Sequence, residues 1–539
     1  SQDRSLRGLA WRRGRRLDRP VSLESRRRVA DGGPLVRSEQ EPDAESPPSD
    51  EHEYREGGFP RVLAGNLRSL GLGQVASRVA AFAVVILLAR ELGRADFGRY
   101  TVGVGVAAIL GMLIQLGMGG YIVREGARSP GALSRILGHV LILRAGLGVV
   151  AVAVAIGFGL ISGYDRPTLV VVAVLTAAGV LSVLTASYEA VLLALERARD
   201  AAVIRAGREI GLALAAGVAV LLGYRVIGVS IAVLAVALLT VPWAWRRLRR
   251  HWSGRPSLRL SGLRTTLAVS AVFAASQGLH RILTYLDSVM VHAFRGNIET
   301  GLYGAAYRVL LGLTVVPAIY VDATTRMISR LAATDRERMT EVYARSVAHL
   351  SMAGTALGAG GAILAGPIID LLYDESYLRA SGALSILLAS AIFAIPVWVT
   401  AMTCYALNLQ NRVAIIWAIA LGGNALVNLY AIPAFGIEGA AAATLGAEAF
   451  AMVLMTMVLR RAGVRASLFG TFGKPIVAGA VMSAAVWPLR DLALPVPIVV
   501  GAIVFVGCLL LLRAFGPEDR RLLLAVVGRR AEPATDADR

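Results

Sequence analysis

The sequence predicts an all-α integral membrane protein, and two observations carry that prediction. The 539 residues are 56% hydrophobic, with a mean hydropathy of +0.61. A soluble chain of this length needs more polar surface to cover itself. Apolar segments of about 20 residues recur along most of the length, and that spacing matches a bilayer. The short alternating strands of a membrane barrel do not occur.

Taken in order, residues 1–60 come first, as a basic stretch followed by an acidic one, "EQEPDAESPPSDEHEYRE". Low hydrophobicity with Pro, Ser and Glu predicts a disordered cytoplasmic tail. No apolar core of about 7–15 residues lies in it, so no cleavable signal peptide is expected. From residue 62 fourteen apolar spans follow: 63–89, 100–123, 136–162, 168–193, 203–223, 226–244, 266–291, 302–325, 346–372, 382–407, 413–432, 436–458, 475–489 and 496–514. Spans five and six are joined through "GYRV" and spans eleven and twelve through "PAFG", links short enough to demand antiparallel hairpins. The expected organisation is an N-lobe at 61–246, a basic linker at 247–265 and a C-lobe at 266–458. Two extra helices at 459–514 and a cytoplasmic tail at 515–539 follow.

Charge orients the spans. The net charge is +19, and all of the excess lies beyond residue 60, because the first 60 residues balance 12 Arg against 12 Asp and Glu. With the N-terminus inside, the inner connections hold 24 Lys and Arg and the outer ones 8. That bias satisfies the positive-inside rule with both ends cytoplasmic in a plasma membrane, and it accounts for the basic chain without nucleic acid.

The halves repeat. Gly93, Gly98 and Tyr100 in "RELGRADFGRY" return as Gly296, Gly301 and Tyr303 in "FRGNIETGLYGAAYR", each 203 positions later. The same offset takes Gln74 to Gln277 and Arg78 to Arg281. "ALERAR" at 194–199 is echoed by "ALNLQNR" at 406–412, and "VIGVSIAV" at 226–233 by "IEGAAAAT" at 437–444. Six spans per half make a parallel repeat about an axis along the membrane normal. The two hinge stretches read as structural hairpins, with glycines for backbone freedom and an aromatic at the interface.

Two such lobes imply a central cavity, marked by the polar groups within spans. An arginine at a helix centre costs about 2.5–3.5 kcal/mol on insertion scales. Arg78 and Arg281 occupy repeat-equivalent mid-span positions, and a pair of guanidinium forks suits a phosphate or pyrophosphate. Gln74 and Gln277 lie one turn earlier on the same faces, and Arg308 stands near the cavity mouth. Asp287 reads as an ion-coupling site or as a structural partner of Arg308. Arg144 is expected to snorkel to the inner surface, and His280 to be packed. Glu189, Asp322 and Glu448 are expected near span ends or lobe interfaces. The small-residue runs "AGTALGAGGAILAG" and "IEGAAAATLGAEA" read as close helix packing. Cys404 and Cys508 read as buried hydrophobes. No P-loop, zinc motif or soluble catalytic domain is visible, so no enzyme activity, cofactor or metal is expected.

Six stretches in order carry a resemblance. They are "LLARELGRADFGRYTVGV", "LGMGGYIVREGA", "DSVMVHAFRGNIETGLYGAAYRV", "LLYDESYLRASGALSILLAS", "ALNLQNR" and "NALVNLYAIPAFGIEGAAAAT". Together they closely resemble polysaccharide-biosynthesis flippases, the oligosaccharidyl-lipid branch of the multidrug/oligosaccharidyl-lipid/polysaccharide exporter superfamily, over about residues 65–515. The resemblance implies a V-shaped, two-lobed transporter. It moves undecaprenyl-pyrophosphate-linked or related sugars to the outer leaflet through a cationic cavity lined from spans one, two, seven and eight. By position, Arg78, Arg281, Asp287 and Arg308 are the counterparts. The implied partners are lipid-linked oligosaccharide, membrane lipids and glycan polymerases or glycosyltransferases. The alternatives are a lipid II flippase, a cation-coupled drug exporter and a non-transporting scaffold for glycan enzymes.

Overall fold

The computed structural model describes residues 58–257, 260–465 and 468–515; for 58–79, 265, 268–277 and 468–470 it describes the backbone alone. The expected tails, 1–57 and 516–539, lie outside the described residues.

Helices are the regular structure throughout the described residues. In chain order they are α1 (Gly58–Gln115), α2 (Met118–Arg128), α3 (Leu133–Ile161), α4 (Arg166–Ala194), α5 (Ala198–Leu221), α6 (Val226–Arg249), α7 (Leu263–Leu313), α8 (Val315–Thr334), α9 (Arg336–Thr355), α10 (Ala365–Leu372), α11 (Ser381–Ala406), α12 (Gln410–Arg461), α13 (Leu468–Val486) and α14 (Pro495–Leu511). Helices are what the sequence demands here, because a backbone in hydrocarbon must satisfy its own hydrogen bonds.

Three runs are broken at one glycine each. Gly93 in α1 has φ +69°, Gly296 in α7 +77° and Gly436 in α12 +64°. Only a residue without Cβ adopts these values readily. Each break falls in a link between two predicted spans. By length and composition, seven helical runs among the described residues can cross a membrane, or up to nine if each of two bent pairs is one span. Fewer pass than the fourteen expected for a physical reason. A glycine-broken run holds two predicted spans, α5 carries Arg199, Asp200, Arg205, Arg208 and Glu209 in its first half, and α14, at 17 residues, is short for a span.

Close packing follows the small residues. A Cβ on Gly354 would crowd the Ala391 carbonyl of α11, and one on Gly358 the Ile392 side chain. A π-helical turn, Ala356–Gly360, sits in the same stretch. Helices α13 and α14 bury Ala478, Met482 and Phe505 with Leu364 in a cluster of their own, so the terminal pair docks beside α9. Cys404 is buried and Cys508 half-buried, both free.

The segment after α6 lies on α3. Ser257 N–H donates to the Ser134 carbonyl at 2.9 Å. Ser134 in turn donates to the Arg255 carbonyl. Trp252 packs edge-on against Trp245.

Candidate functional site

The two glycine breaks meet. A Cβ on Gly98 would overlap the Asn297 carbonyl, and a Cβ on Gly301 would overlap the Arg94 carbonyl. Asn297 and Arg94 are themselves repeat-equivalent, so the contact is reciprocal. Thr101 lies against Gly304, its own counterpart at the offset of 203. Glycine at 98 and 301 is therefore a requirement of backbone-to-backbone approach.

Charged side chains seal this seam. Arg90 donates to the carbonyls of Leu371 and Leu372, each at 2.7 Å, satisfying the open end of α10. Arg295 does the same for Ile432 and Pro433 before the break in α12. The Tyr377 hydroxyl donates to the Ala89 carbonyl at 2.8 Å. Tyr164 and His292 meet edge to face, with centroids 4.4 Å apart. Asp165 caps α4 through the Thr168 N–H and pairs with Arg99 at 2.6 Å. Partial burial pushes its carboxyl up, but the hydrogen bonds from Thr168 and Arg99, with the Arg99 charge, hold it below the usual range.

Asp287 is the best-built polar site inside the helices. It is 1% exposed. Asn428 Nδ2 donates to Oδ1 at 2.7 Å, the Tyr303 hydroxyl to Oδ2 at 3.0 Å, and Thr444 also donates to Oδ2. Asn424 Oδ1 accepts from Asn428 at 3.1 Å. Asn428 Oδ1 and Asn424 Nδ2 are buried without partners. Every partner is neutral. Arg308 makes no ion pair with Asp287, which corrects the expectation of a structural pair. Arg308 is half-buried and lies instead near the phenols of Tyr100 and Tyr373.

Arg281 stands exposed on α7 and pairs with no described carboxylate. The side chains of Gln74, Arg78 and Gln277 lie outside the described residues. Arg144 does not snorkel. It is 2% exposed and donates to the Val183 carbonyl at 2.8 Å and Ser187 Oγ at 2.5 Å. Unbonded donors in hydrocarbon cost more than α4 acceptors that are already in reach. Glu189 is buried between Arg205 and Arg208. His280 is packed, as expected, with its ring 4.2 Å from that of Trp417 and Nε2 3.3 Å from Glu448.

The hinge aromatic Tyr303 is not at the membrane interface as expected but fully buried on Asp287, and the sequence reading missed it, Asn424, Asn428 and Thr444 as partners of that acid. "NALVN" in span eleven held the signal, since two asparagines four apart in an apolar helix share a face. Among the described residues no group of three or more His, Cys, Asp or Glu could hold a metal ion.

Comparisons with known proteins place this geometry. The fold is similar to that of the lipid II flippase MurJ in an inward closed conformation, with a TM-score of 0.69 and 14% identity, covering 81% of this chain and 97% of that one. It is also similar to an inward-facing multidrug resistance MATE family transporter of the MOP superfamily, with a TM-score of 0.60 and 16% identity, covering 74% and 97%. At such identities the likeness is one of fold. In sequence, the probable flippase AglR of Haloferax volcanii is 26% identical over 231 residues, 40% of this chain and 47% of that protein. The match thus spans about half the length of that relative. The polysaccharide biosynthesis protein family matches residues 63–331, a shorter stretch than the 65–515 over which the motifs carry the resemblance. Through those residues, about half of its length, this multi-pass membrane chain belongs to the polysaccharide biosynthesis protein family.

Proposed function

We propose that this protein is a flippase for lipid-linked oligosaccharides of the polyprenyl-pyrophosphate type. It carries glycan precursors from the cytoplasmic to the outer leaflet, for surface polysaccharide synthesis, by alternating access of the lobes 61–246 and 266–458, with both termini cytoplasmic. One observation carries the substrate reading: Arg281 is exposed on an apolar helix with no described carboxylate partner. An arginine in that position is sustained by water and an anionic ligand. A diphosphate headgroup supplies two groups that accept paired N–H donors. Arg78 is the proposed counterpart, with Gln74 and Gln277 beside the pair and Arg308 at the mouth. Family membership supports the same reading, because polysaccharide precursors are built on lipid carriers. A drug exporter for cations calls for several exposed acids in the cavity, whereas Asp287 and Glu448 are buried and Asp322 is the one exposed acid of α8. A lipid II flippase differs mainly in its substrate.

Asp287 is the proposed ion-coupling site. A carboxylate ringed by the hydroxyls of Tyr303 and Thr444 and the amides of Asn424 and Asn428 offers hard oxygen donors with one net charge. That set suits a small monovalent cation.

The test is reconstitution in vesicles with fluorescent lipid-linked oligosaccharides of differing sugars. Stimulated movement of a pyrophosphate-linked substrate is expected. Folded protein that moves none of them overturns the reading and leaves the scaffold alternative.

A further inference from the structure

The hinge arginines exceed what the seam uses. A cavity of about 360 Å³ opens beside the break in α1, lined by Leu92–Asp96, Arg99 and Arg225 from the first half of the chain and by Ile298 and Ser376 from the second. That volume lies within the roughly 300–1,000 Å³ of small-ligand clefts. Asp96, 5% exposed, organises the wall. Its Oδ1 takes Arg99 Nη1 at 2.6 Å and its Oδ2 takes Arg225 Nε at 3.2 Å. The second arm of Arg99 is spent on Asp165.

What remains is unspent. Arg225 is held by one nitrogen, with its side chain 85% exposed, so its terminal nitrogens face the opening. No hydrogen bond or ion pair joins the Arg94 guanidinium to a described residue. At Gly93 nothing lies within 4 Å of where a Cβ would stand, so the wall is open there. Three guanidinium groups against Asp96 and the Asp165 that pairs with Arg99 leave the cavity with a cationic excess of one charge, at the end of the bundle that the charge bias depletes of arginine.

We propose that this hinge pocket binds a phosphate-bearing anion, and that the bound anion ties the two halves together at the seam. Guanidinium groups pre-set by a buried carboxylate match phosphate oxygens in paired N–H···O contacts. The same chemistry is offered by free pyrophosphate and by an anionic phospholipid headgroup. The site makes no use of Arg281 and stands apart from the transport reading.

The experiment titrates inorganic pyrophosphate into the full chain in phosphatidylcholine nanodiscs, followed by calorimetry. Saturable binding is expected. Arg94→Gln, which removes no internal bond, is expected to weaken it, and Arg94→Gln with Arg225→Gln by about tenfold or more. Arg490→Gln, which removes an arginine stacked on Trp487 elsewhere, leaves it unchanged. Repeating the titration with phosphatidylglycerol separates the sources. Suppressed binding identifies a headgroup as occupant, and unchanged binding identifies the free anion. If neither arginine substitution weakens binding, or if protein with an unchanged thermal transition shows no saturable binding in phosphatidylcholine, the proposal is overturned.

Discussion

A buried carboxylate survives in an apolar helix only when donors replace its water, and Asp287 has three. Asp287→Asn preserves shape and removes the charge. The expected outcome is a folded protein whose substrate movement no longer responds to a cation gradient, read in vesicles with and without sodium. Arg281→Gln is expected to lower movement of a pyrophosphate lipid at least about tenfold, since each charge-assisted contact is worth about 1.5–3 kcal/mol. Combining it with Arg78→Gln is expected to add little if the two grip one headgroup. Asp165 makes a different, pH-linked contribution. Its carboxyl is depressed in the folded chain, so the stabilisation is complete above the unfolded value of about 3.9 and is lost as pH falls through the lower folded value. Thermal stability in detergent should therefore decline on acidification below about pH 4, and Asp165→Asn should flatten that decline.

At the scale of single elements, the turns explain themselves by backbone sign. "ALERAR" and "ALNLQNR" end α4 and α11 in the same way. Glu196 has φ +60° and Asn408 +58°. The next amides reach back, Arg197 to the Leu192 carbonyl at 2.8 Å and Leu409 to the Cys404 carbonyl at 2.9 Å. This is the Schellman turn, which favours glycine or asparagine. Asn408 suits it and Glu196 does not. Glu196→Gly is expected to stabilise the chain by about 0.5–1 kcal/mol, read as a raised unfolding midpoint, because the left-handed strain outweighs glycine's entropy. The hinges demand glycine more strictly. Gly301→Ala places a Cβ into the Arg94 carbonyl. It is expected to drive the halves apart at this end, read as a longer distance between spin labels at Arg166→Cys and Glu375→Cys.

At the scale of the whole molecule, the hinge end is held by contacts that cross between the halves. Arg90 on the end of α10 and Tyr377 on Ala89 join backbone to side chain. Gly98 and Gly301 join backbone to backbone. Under the alternating access proposed above those contacts have to break together, and on that reading the hinge of "RELGRADFGRY" acts as a gate and not as the substrate site. The orientation is testable by accessibility. Cysteines at residues 163 and 253 of intact cells are expected to label from outside and only after permeabilisation, respectively; the reverse pattern inverts the topology. Helical class, repeat and hinge glycines were legible because they depend on composition and spacing, which a linear chain displays. The Asp287 site was legible only in part. Its acid stood out as a charge in a span, but Tyr303, Asn424, Asn428 and Thr444 come from three other spans, and neutral polar residues in membrane helices satisfy themselves in many ways. Arg144 was misread because its partners, Val183 and Ser187, lie a helix away.

Hydropathy and the 203-residue offset by themselves determined a helical membrane protein built twice over, because a bilayer restricts backbones to helices and a repeat keeps its turn residues. The tertiary structure alone decided which equivalent positions touch. Gly98 meets the carbonyl of Asn297 and Gly301 that of Arg94 because two copies of one hinge pack face to face, a relation no single copy contains. It also decided which charges are consumed internally, as Arg144 and Asp96 are, and which, like Arg281, Arg94 and the terminal nitrogens of Arg225, are left for something else to satisfy. Charge is local in sequence, but its compensation is set by whatever the fold brings within about 3 Å.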